Sequence, residues 1–322
     1  MKKVFIDGSS GTTGLRIRQR LASRTDIALL TISEEKRKDV EEKKKIINQA
    51  DVVFLCLPDD AARESVSLVE NPSTVVIDAS TAHRTLPDWA YGFPELGESF
   101  EKKILSSKRI AVPGCHASGF IALVYPLIEA GILSKEVLLS CHSITGYSGG
   151  GKGMIAQYES EEREFELSAP YQYGIGQTHK HLKEMKGITG LENAPVFCPI
   201  VSDFYSGMLV TVPLFKKQLL KGGLEEIREV YRQKYTSEMV KFVEKMDEKK
   251  QGFVSSVERH YYDTMLVTAE GNEDRMILMA VYDNLGKGAS GAAVECMNLV
   301  IGAKKTEGLV VTENERATML AK

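Results

Sequence analysis

Cys115 is the residue of this 322-residue chain best placed to do chemistry. It stands in the run Val112-Pro113-Gly114-Cys115-His116-Ala117-Ser118-Gly119. Ile110-Ala111-Val112 can end a strand, and Pro113-Gly114 signals a turn. Phe120, Ile121, Leu123, Val124, Leu127 and Ile128 then recur at helical spacing. The pattern predicts a strand–turn–helix corner with the thiol at the positive end of the helix. That end favours a thiolate by up to about 2 kcal/mol, which brings an ordinary thiol from about 8.5 to about 7. Such a cysteine is only partly ionised, so a base elsewhere must complete its activation. The other reading is a buried cysteine acting as a small hydrophobe, the commoner fate of that residue.

The base is sought among six histidines: His83, His116, His142, His179, His181 and His260. His116 is a poor candidate, because neighbours on a helix do not face each other. His179 and His181 follow Tyr173-Gly174-Ile175-Gly176, a glycine-marked loop, and loops on a rigid scaffold commonly carry catalysis. One of these two is therefore the expected acid/base. The H-x-H spacing also suits a metal, but no further ligand lies at useful spacing, so none is expected. An exposed polar loop is the plainer alternative. Ser143-Ile144-Thr145-Gly146-Tyr147-Ser148 runs into Gly149-Gly150-Gly151-Lys152-Gly153. This resembles a phosphate cradle without the fixed spacing of a P-loop, and could also be a flexible connection.

A second glycine run, Gly8-Ser9-Ser10-Gly11-Thr12-Thr13-Gly14, follows the apolar Val4-Phe5-Ile6 and opens a helix with Leu15, Ile17 and Leu21. It is G-x-x-G-x-x-G, not G-x-G-x-x-G, but strand, turn and helix fall in the order a dinucleotide site needs. A tight turn with no ligand is the bland alternative. The second strand, Ile27 to Ile32, closes on Ser33 and not on an acid, and Lys36-Arg37-Lys38 follow Glu34-Glu35. A serine and a basic cluster suit a 2′-phosphate, which favours NADP over NAD.

These residues need elements to position them. Apolar strands at 52–57 and 75–77 alternate with helices at 39–50 and 59–69. Strand–helix alternation means a doubly wound parallel sheet. Beyond Glu136 the pattern changes. Runs at 137–139, 208–212, 253–257, 264–268 and 276–281 read as strands separated mostly by short turns, hence a mixed or antiparallel sheet. A charged amphipathic helix is expected over 219–235, and a small-residue helix after Asp283-Asn284-Leu285-Gly286-Lys287-Gly288. The polar tail after Lys304 is expected to fray. The fold class expected is α/β joined to an α+β catalytic domain. The first domain is placed at 1–114, completed by 285–322, and the catalytic and oligomerisation domain at 115–284.

Composition sets limits. A net charge of −3 leaves no basic field for nucleic acid. Five cysteines cannot all pair and suit a reducing, cytoplasmic setting. The N-terminal apolar run is too brief for a signal peptide, and no run approaches the ~20 residues of a membrane span.

Taken together, the chain resembles the shorter-type N-acetyl-gamma-glutamyl-phosphate reductases, within the aspartate-semialdehyde dehydrogenase-like superfamily. Val112-Pro113-Gly114-Cys115 with Ser118-Gly119, Ala122-Leu123 and Tyr125-Pro126-Leu127 resembles the active-site signature. Tyr173…His179-Lys180-His181…Glu184 is similar to the family's Y…H-x-H…E segment, Asp78-Ala79-Ser80-Thr81-Ala82-His83-Arg84 to its D-x-S…R segment, and Asp283-Asn284-Leu285-Gly286-Lys287-Gly288-Ala289 to a D-N-L-x-K-G-A motif. Two departures stand out. His116-Ala117-Ser118 replaces an aromatic-led triplet, and Ser206-Gly207 stands where longer members have Arg-Gly.

The resemblance implies a Rossmann-like NADP domain and NADPH-dependent reduction of an acyl phosphate to a semialdehyde through a Cys115 thioester. Cys115 and His179 would be catalytic. Arg84, Ser148, Lys152, Tyr173, His181 and Glu184 would bind substrate, with Arg84 and Lys152 the expected anchors given Ser206. Gly8, Ser10, Gly11, Thr12, Thr13, Gly14, Ser33, Arg37, Cys56, Leu57, Ser80 and Asn284 would hold NADP. A homodimer or homotetramer is expected. The alternatives are a sibling dehydrogenase of the aspartate or aminoadipate series and a catalytically silent NADP-binding regulator. Intact Cys115, His179 and Asn284 argue against the last.

Overall fold

The computed structural model describes residues 1–36, 39–246 and 252–320. In chain order the strands and helices run β1 (Lys2–Asp7), α1 (Thr12–Leu21), β2 (Ile27–Leu30), α2 (Val40–Gln49), β3 (Val52–Leu55), α3 (Asp59–Ser67), β4 (Val75–Asp78), β5 (Ala90–Tyr91), α4 (Glu98–Ser106) and β6 (Arg109–Ala111). They continue with α5 (Cys115–Glu129), β7 (Ser140–Gly146), α6 (Gly151–Tyr158), β8 (Tyr171–Gln172), α7 (His181–Thr189), β9 (Val196–Ser202), β10 (Met208–Phe215), α8 (Leu224–Lys234), β11 (Val240–Phe242), β12 (Met265–Gly271), β13 (Arg275–Tyr282), α9 (Gly291–Ile301) and α10 (Glu313–Leu320).

Two compact units result. The first comprises Met1–Pro94, Glu98–Pro113 and Ala289–Leu309. Its sheet is ordered β2-β1-β3-β4-β6-β5, with every pairing parallel. Phe5, Val53, Leu55 and Val76 pack under Ile47 of α2 and Ala62 of α3. Helix α9 packs on α1, α4 and β4. Strands buried on both faces read as continuous apolar runs, which is why Val52–Leu55 has no polar alternation. The α/β expectation is met here.

The second unit comprises Glu95–Gly97, Gly114–Gly288 and Val310–Lys322. Its sheet is ordered β11-β12-β13-β10-β7-β9-β8 and is mixed, with β7–β9 and β11–β12 parallel and the other pairs antiparallel. Burial alternates along β10 with period two, so one face carries Met208, Val210, Val212 and Leu214 inward. Helix α5 lies against β10 and β13, and α7 and α8 pack on α5.

Several expected elements are corrected. Residues 137–139 are not a strand: Leu138 is 71% exposed, and the strand begins at Ser140. Residues 253–257 form no strand either, with Phe253 75% exposed. That edge of the sheet is filled instead by the three-residue β11, whose Lys241 is exposed. Neither β-prone run pairs as a strand: in the first only Leu139 is buried, and the second lies exposed or half-buried. Strand β2 stops at Leu30, which leaves Ser33 in an exposed loop. The tail is not wholly frayed. Glu313 and Arg316 of α10 bond Tyr262 Oη and the His260 carbonyl.

Candidate active site

Gly114 caps α5 with extended backbone and no side-chain capping bond, so the first-turn N–H groups beside Cys115 stay available to an anion. Glu184, on α7 and only 2% exposed, accepts the Gly114 N–H at 2.7 Å through Oε1. The carboxylate therefore pins the turn that delivers the thiol.

The other side of the same turn is held by Tyr282. Its Oη accepts the Gly119 N–H at 3.0 Å and donates to the Cys115 carbonyl at 2.5 Å. Gly288 completes the support, since a Cβ there would stand 3.1 Å from the Cβ of Cys115. A side chain there would crowd Cys115, so the close approach of the Asp283–Gly288 run favours glycine.

A cluster of rings stands beside the thiol's helix. His116, Tyr173, His179, His181 and Phe197 lie within 6.1 Å of one another in successive centroid pairs, with His179 and His181 4.7 Å apart. His179 Nδ1 accepts the backbone N–H of His181 at 3.2 Å. A neutral His179 thus carries its proton on Nε2. His181 begins α7 and is buried, while His179 is half-buried.

Helical spacing argues against His116 as a partner of Cys115, yet it belongs to this cluster. Its Nδ1 meets Ser143 Oγ and its Nε2 meets Tyr173 Oη, both at 2.6 Å. Burial, with the positive charge of a protonated His179 second, pushes its pKa down to about 3. His116 is neutral at working pH and is no base, for a reason of desolvation and not of spacing. Nothing in the sequence pointed to its partner Ser143, which comes from β7.

Asp283 and Asn284 organise the rest of the second unit's site. Asn284 Oδ1 accepts the Gly207 N–H at 2.9 Å and Nδ2 donates to Ser148 Oγ at 3.0 Å. Asp283 accepts from Ser206 Oγ at 2.7 Å and from the Leu285 N–H at 2.7 Å. Ser206 is fully buried where it donates to this carboxylate. Lys287 is buried against Glu95 at 2.8 Å. Lys152 is exposed in the first turn of α6.

The first unit holds the remaining expected residues. Gly8 has φ +84°, and a Cβ on it would lie 2.3 Å from the Cys56 carbonyl oxygen; one on Gly14 would lie 2.4 Å from the Gly8 carbonyl oxygen. The two glycines let β1, the turn and α1 fold tightly. Gly11 caps α1 with no side-chain bond. The Thr12 and Thr13 end of α1 is thus an uncapped positive terminus beside Ser10, which fits the pyrophosphate of a dinucleotide. Leu57 follows Cys56 at the end of β3, half-buried. Arg37 lies outside the described residues. Ser80 donates to Asp78 at 2.7 Å, and Asp78 also meets His83 Nδ1 at 2.6 Å, whose ring stacks on Trp89. Arg84 donates through Nε to the Val112 carbonyl at 2.9 Å, tying the D-x-S…R segment to the strand end before Pro113.

Residues 3–103 match the family described as semialdehyde dehydrogenase, NAD binding domain, and residues 115–284 match semialdehyde dehydrogenase, dimerisation domain. The N-acetyl-gamma-glutamyl-phosphate reductase of Rhizobium meliloti (strain 1021) is 44% identical over 307 residues, 94% of this chain and 99% of the relative. That of Trichormus variabilis is 43% identical over 321 residues, 95% of this chain and 99% of the relative. The chain belongs to the N-acetyl-gamma-glutamyl-phosphate reductase family. For this family member the fold has solved counterparts. Aspartate semialdehyde dehydrogenase II from Vibrio cholerae superposes with a TM-score of 0.71 at 17% identity, over 94% of this chain and 98% of that one. Aspartate semialdehyde dehydrogenase with NADP from Candida albicans gives 0.65 at 16%, over 94% and 99%. At such identities they establish the fold alone. Among the described residues of this reductase-family chain no helix is long and apolar enough to cross a membrane. Among them also, no group of three or more His, Cys, Asp or Glu could hold a metal ion.

Proposed function

We propose that the chain catalyses NADPH-dependent reduction of N-acetyl-gamma-glutamyl phosphate to N-acetylglutamate semialdehyde, releasing phosphate. The observation that carries this reading is Cys115 at the uncapped start of α5, whose next residue His116 lies 5.9 and 5.6 Å from the His179 and His181 rings, in a chain 44% identical to a reductase of that name. Cys115 sulfur attacks the acyl carbon, the carbon–oxygen bond to phosphate breaks, and a thioester on Cys115 remains. NADPH, when bound, supplies the hydride that reduces that thioester. The resulting hemithioacetal collapses, the carbon–sulfur bond breaks, and the aldehyde leaves with the thiolate restored.

The residues divide this work. His181 accepts the thiol proton. His179, with Nδ1 committed to the His181 N–H, donates from Nε2 to the departing or developing oxygen. The α5 N–H groups meet the oxyanion of both tetrahedral species, an effect of roughly 3–4 kcal/mol per donor in comparable sites. Glu184 positions the thiol's turn through Oε1, which accepts the Gly114 N–H. Arg84, Ser148, Lys152 and Tyr173 are the substrate contacts. The Gly8–Gly14 turn holds the pyrophosphate, and Ser33 with the basic run after it holds the 2′-phosphate.

The chain self-associates through the open face of the mixed sheet. Val196 and Ile277 there are 59% and 43% exposed, and Ile144, Ile200, Leu209 and Met279 are half-buried on the same side. The enzyme works in the reducing cytoplasm. The deciding assay is phosphate-dependent NADP reduction with N-acetylglutamate semialdehyde, run against aspartate semialdehyde. A kcat/KM higher for the aspartate compound would reassign the substrate.

A further inference from the structure

His116 is a buried histidine that the reaction leaves without a task. Its ring is 2% exposed and is faced by Tyr173, His179, His181 and Phe197 at centroid distances of 5.3 to 6.1 Å. A neutral imidazole has one N–H and one lone pair, and its two neighbours decide where each lies. Ser143 is fully buried on β7, and among the described residues its hydroxyl has one hydrogen-bond partner, His116 Nδ1. A buried hydroxyl proton without an acceptor is unfavourable. Ser143 therefore donates and Nδ1 accepts. The proton of the ring sits on Nε2 and is donated to Tyr173 Oη at 2.6 Å.

Tyr173 then keeps its own phenolic proton for another partner. Burial, followed by the charge on Cys115, holds that phenol above its usual pKa, so the proton stays in place while Cys115 is a thiolate. The chain of bonds is not a proton wire. It ends at a buried serine, and the ring cannot take up a second proton near neutrality.

We propose that His116 is a positioning residue: the Ser143–His116–Tyr173 chain turns the Tyr173 hydroxyl toward Cys115, where it donates a hydrogen bond to the acyl oxygen of the bound substrate. This rests on the proposed acyl-transfer reading. It adds a neutral donor to the α5 N–H groups, one that does not raise the local positive charge and so leaves the thiol's ionisation to the histidine pair.

The test has a part that needs no substrate. The full chain, labelled with 15N-histidine, should show the His116 ring as the neutral Nε2–H tautomer near pH 7 and still neutral at about pH 5. The signal is assigned by its loss in His116→Phe. Ser143→Ala should release the preference. An Nδ1–H tautomer, or a ring charged at about pH 6, overturns the proposal. The kinetic part compares His116→Phe, Tyr173→Phe and the double variant. Each single change should lower kcat about tenfold or more with KM little altered. The double variant should be no worse than the weaker single one, because both remove one donor. His116→Gln, which can still offer an N–H to Tyr173, should recover part of the loss. Iodoacetamide labelling of Cys115 should stay within about twofold throughout. Multiplying losses in the double variant, or slowed labelling in His116→Phe, would overturn the role. If the wild-type chain does not turn over the semialdehyde, the proposed function fails, while the tautomer still decides the hydrogen-bond chain.

Discussion

Gly119→Ala isolates the packing that holds Cys115 in place. In an ordinary helix this change stabilises by about 1 kcal/mol, since alanine loses less backbone entropy than glycine. Here a Cβ would stand 2.6 Å from Val210 Cγ2, 2.8 Å from Val210 Cβ and 2.7 Å from Tyr282 Oη. Carbon contacts prefer about 3.5–4.0 Å, so the overlap is about 1 Å. Val210 is in register with Ser143 on one side and Ala280 on the other and cannot retreat. The Tyr282 hydroxyl must give way, losing its bonds to the Gly119 N–H and the Cys115 carbonyl. Overpacking costs about 1–3 kcal/mol, and each lost bond about 1 kcal/mol. Less the helix gain, the variant should be destabilised by about 2–4 kcal/mol. Urea unfolding followed by circular dichroism reads this as a lower midpoint at unchanged m. A displacement of Cys115 approaching 1 Å should also lower kcat by up to about a hundredfold. A midpoint at or above wild type together with full kcat would refute the argument, because it would mean that Tyr282 and Val210 yield without cost.

Cys115→Ser should keep the fold and NADP binding yet lose nearly all turnover, because a neutral hydroxyl is a far weaker nucleophile than a thiolate; activity within about tenfold of wild type would unseat the assignment. His179→Asn and His181→Asn separate donor from base. The first should lower turnover by about 10²-fold or more with slight change in Cys115 alkylation, and the second should slow alkylation as well; the reverse pattern would exchange the two roles. NADPH should be preferred over NADH in steady-state kcat/KM, given Ser33 in the exposed loop after β2 and Lys36 with the basic residues beyond it. Equal efficiency with NADH would mean that a glutamate of the Glu34–Glu35 pair serves the ribose. Ile277→Asp, on the open sheet face, should shift light-scattering mass toward the monomer, and an unchanged assembly would move the interface elsewhere.

The amino-acid sequence by itself determined the local devices. Pro113-Gly114 before an apolar helix placed Cys115 at the first residue of α5, because turn chemistry and helical periodicity are properties of neighbouring residues. The same holds for the Gly8–Gly14 turn, where strand, turn and helix appear in sequence order. It determined the α/β class through continuous apolar strands, and membership of the family through motifs spread over the chain. It misjudged 137–139 and 253–257, since β-propensity reports only that a run would suit a half-buried surface and not that one is present. Only the tertiary structure decided the partners. Glu184 reaches Gly114, 70 residues away, and Tyr282 reaches Gly119 across 163. His116, dismissed because adjacent helix residues diverge, is joined to Tyr173 and Ser143 by strands and loops distant in the chain. Its pKa follows from burial, and burial depends on which side chains fold over the ring, so no spacing rule along the chain could have supplied it.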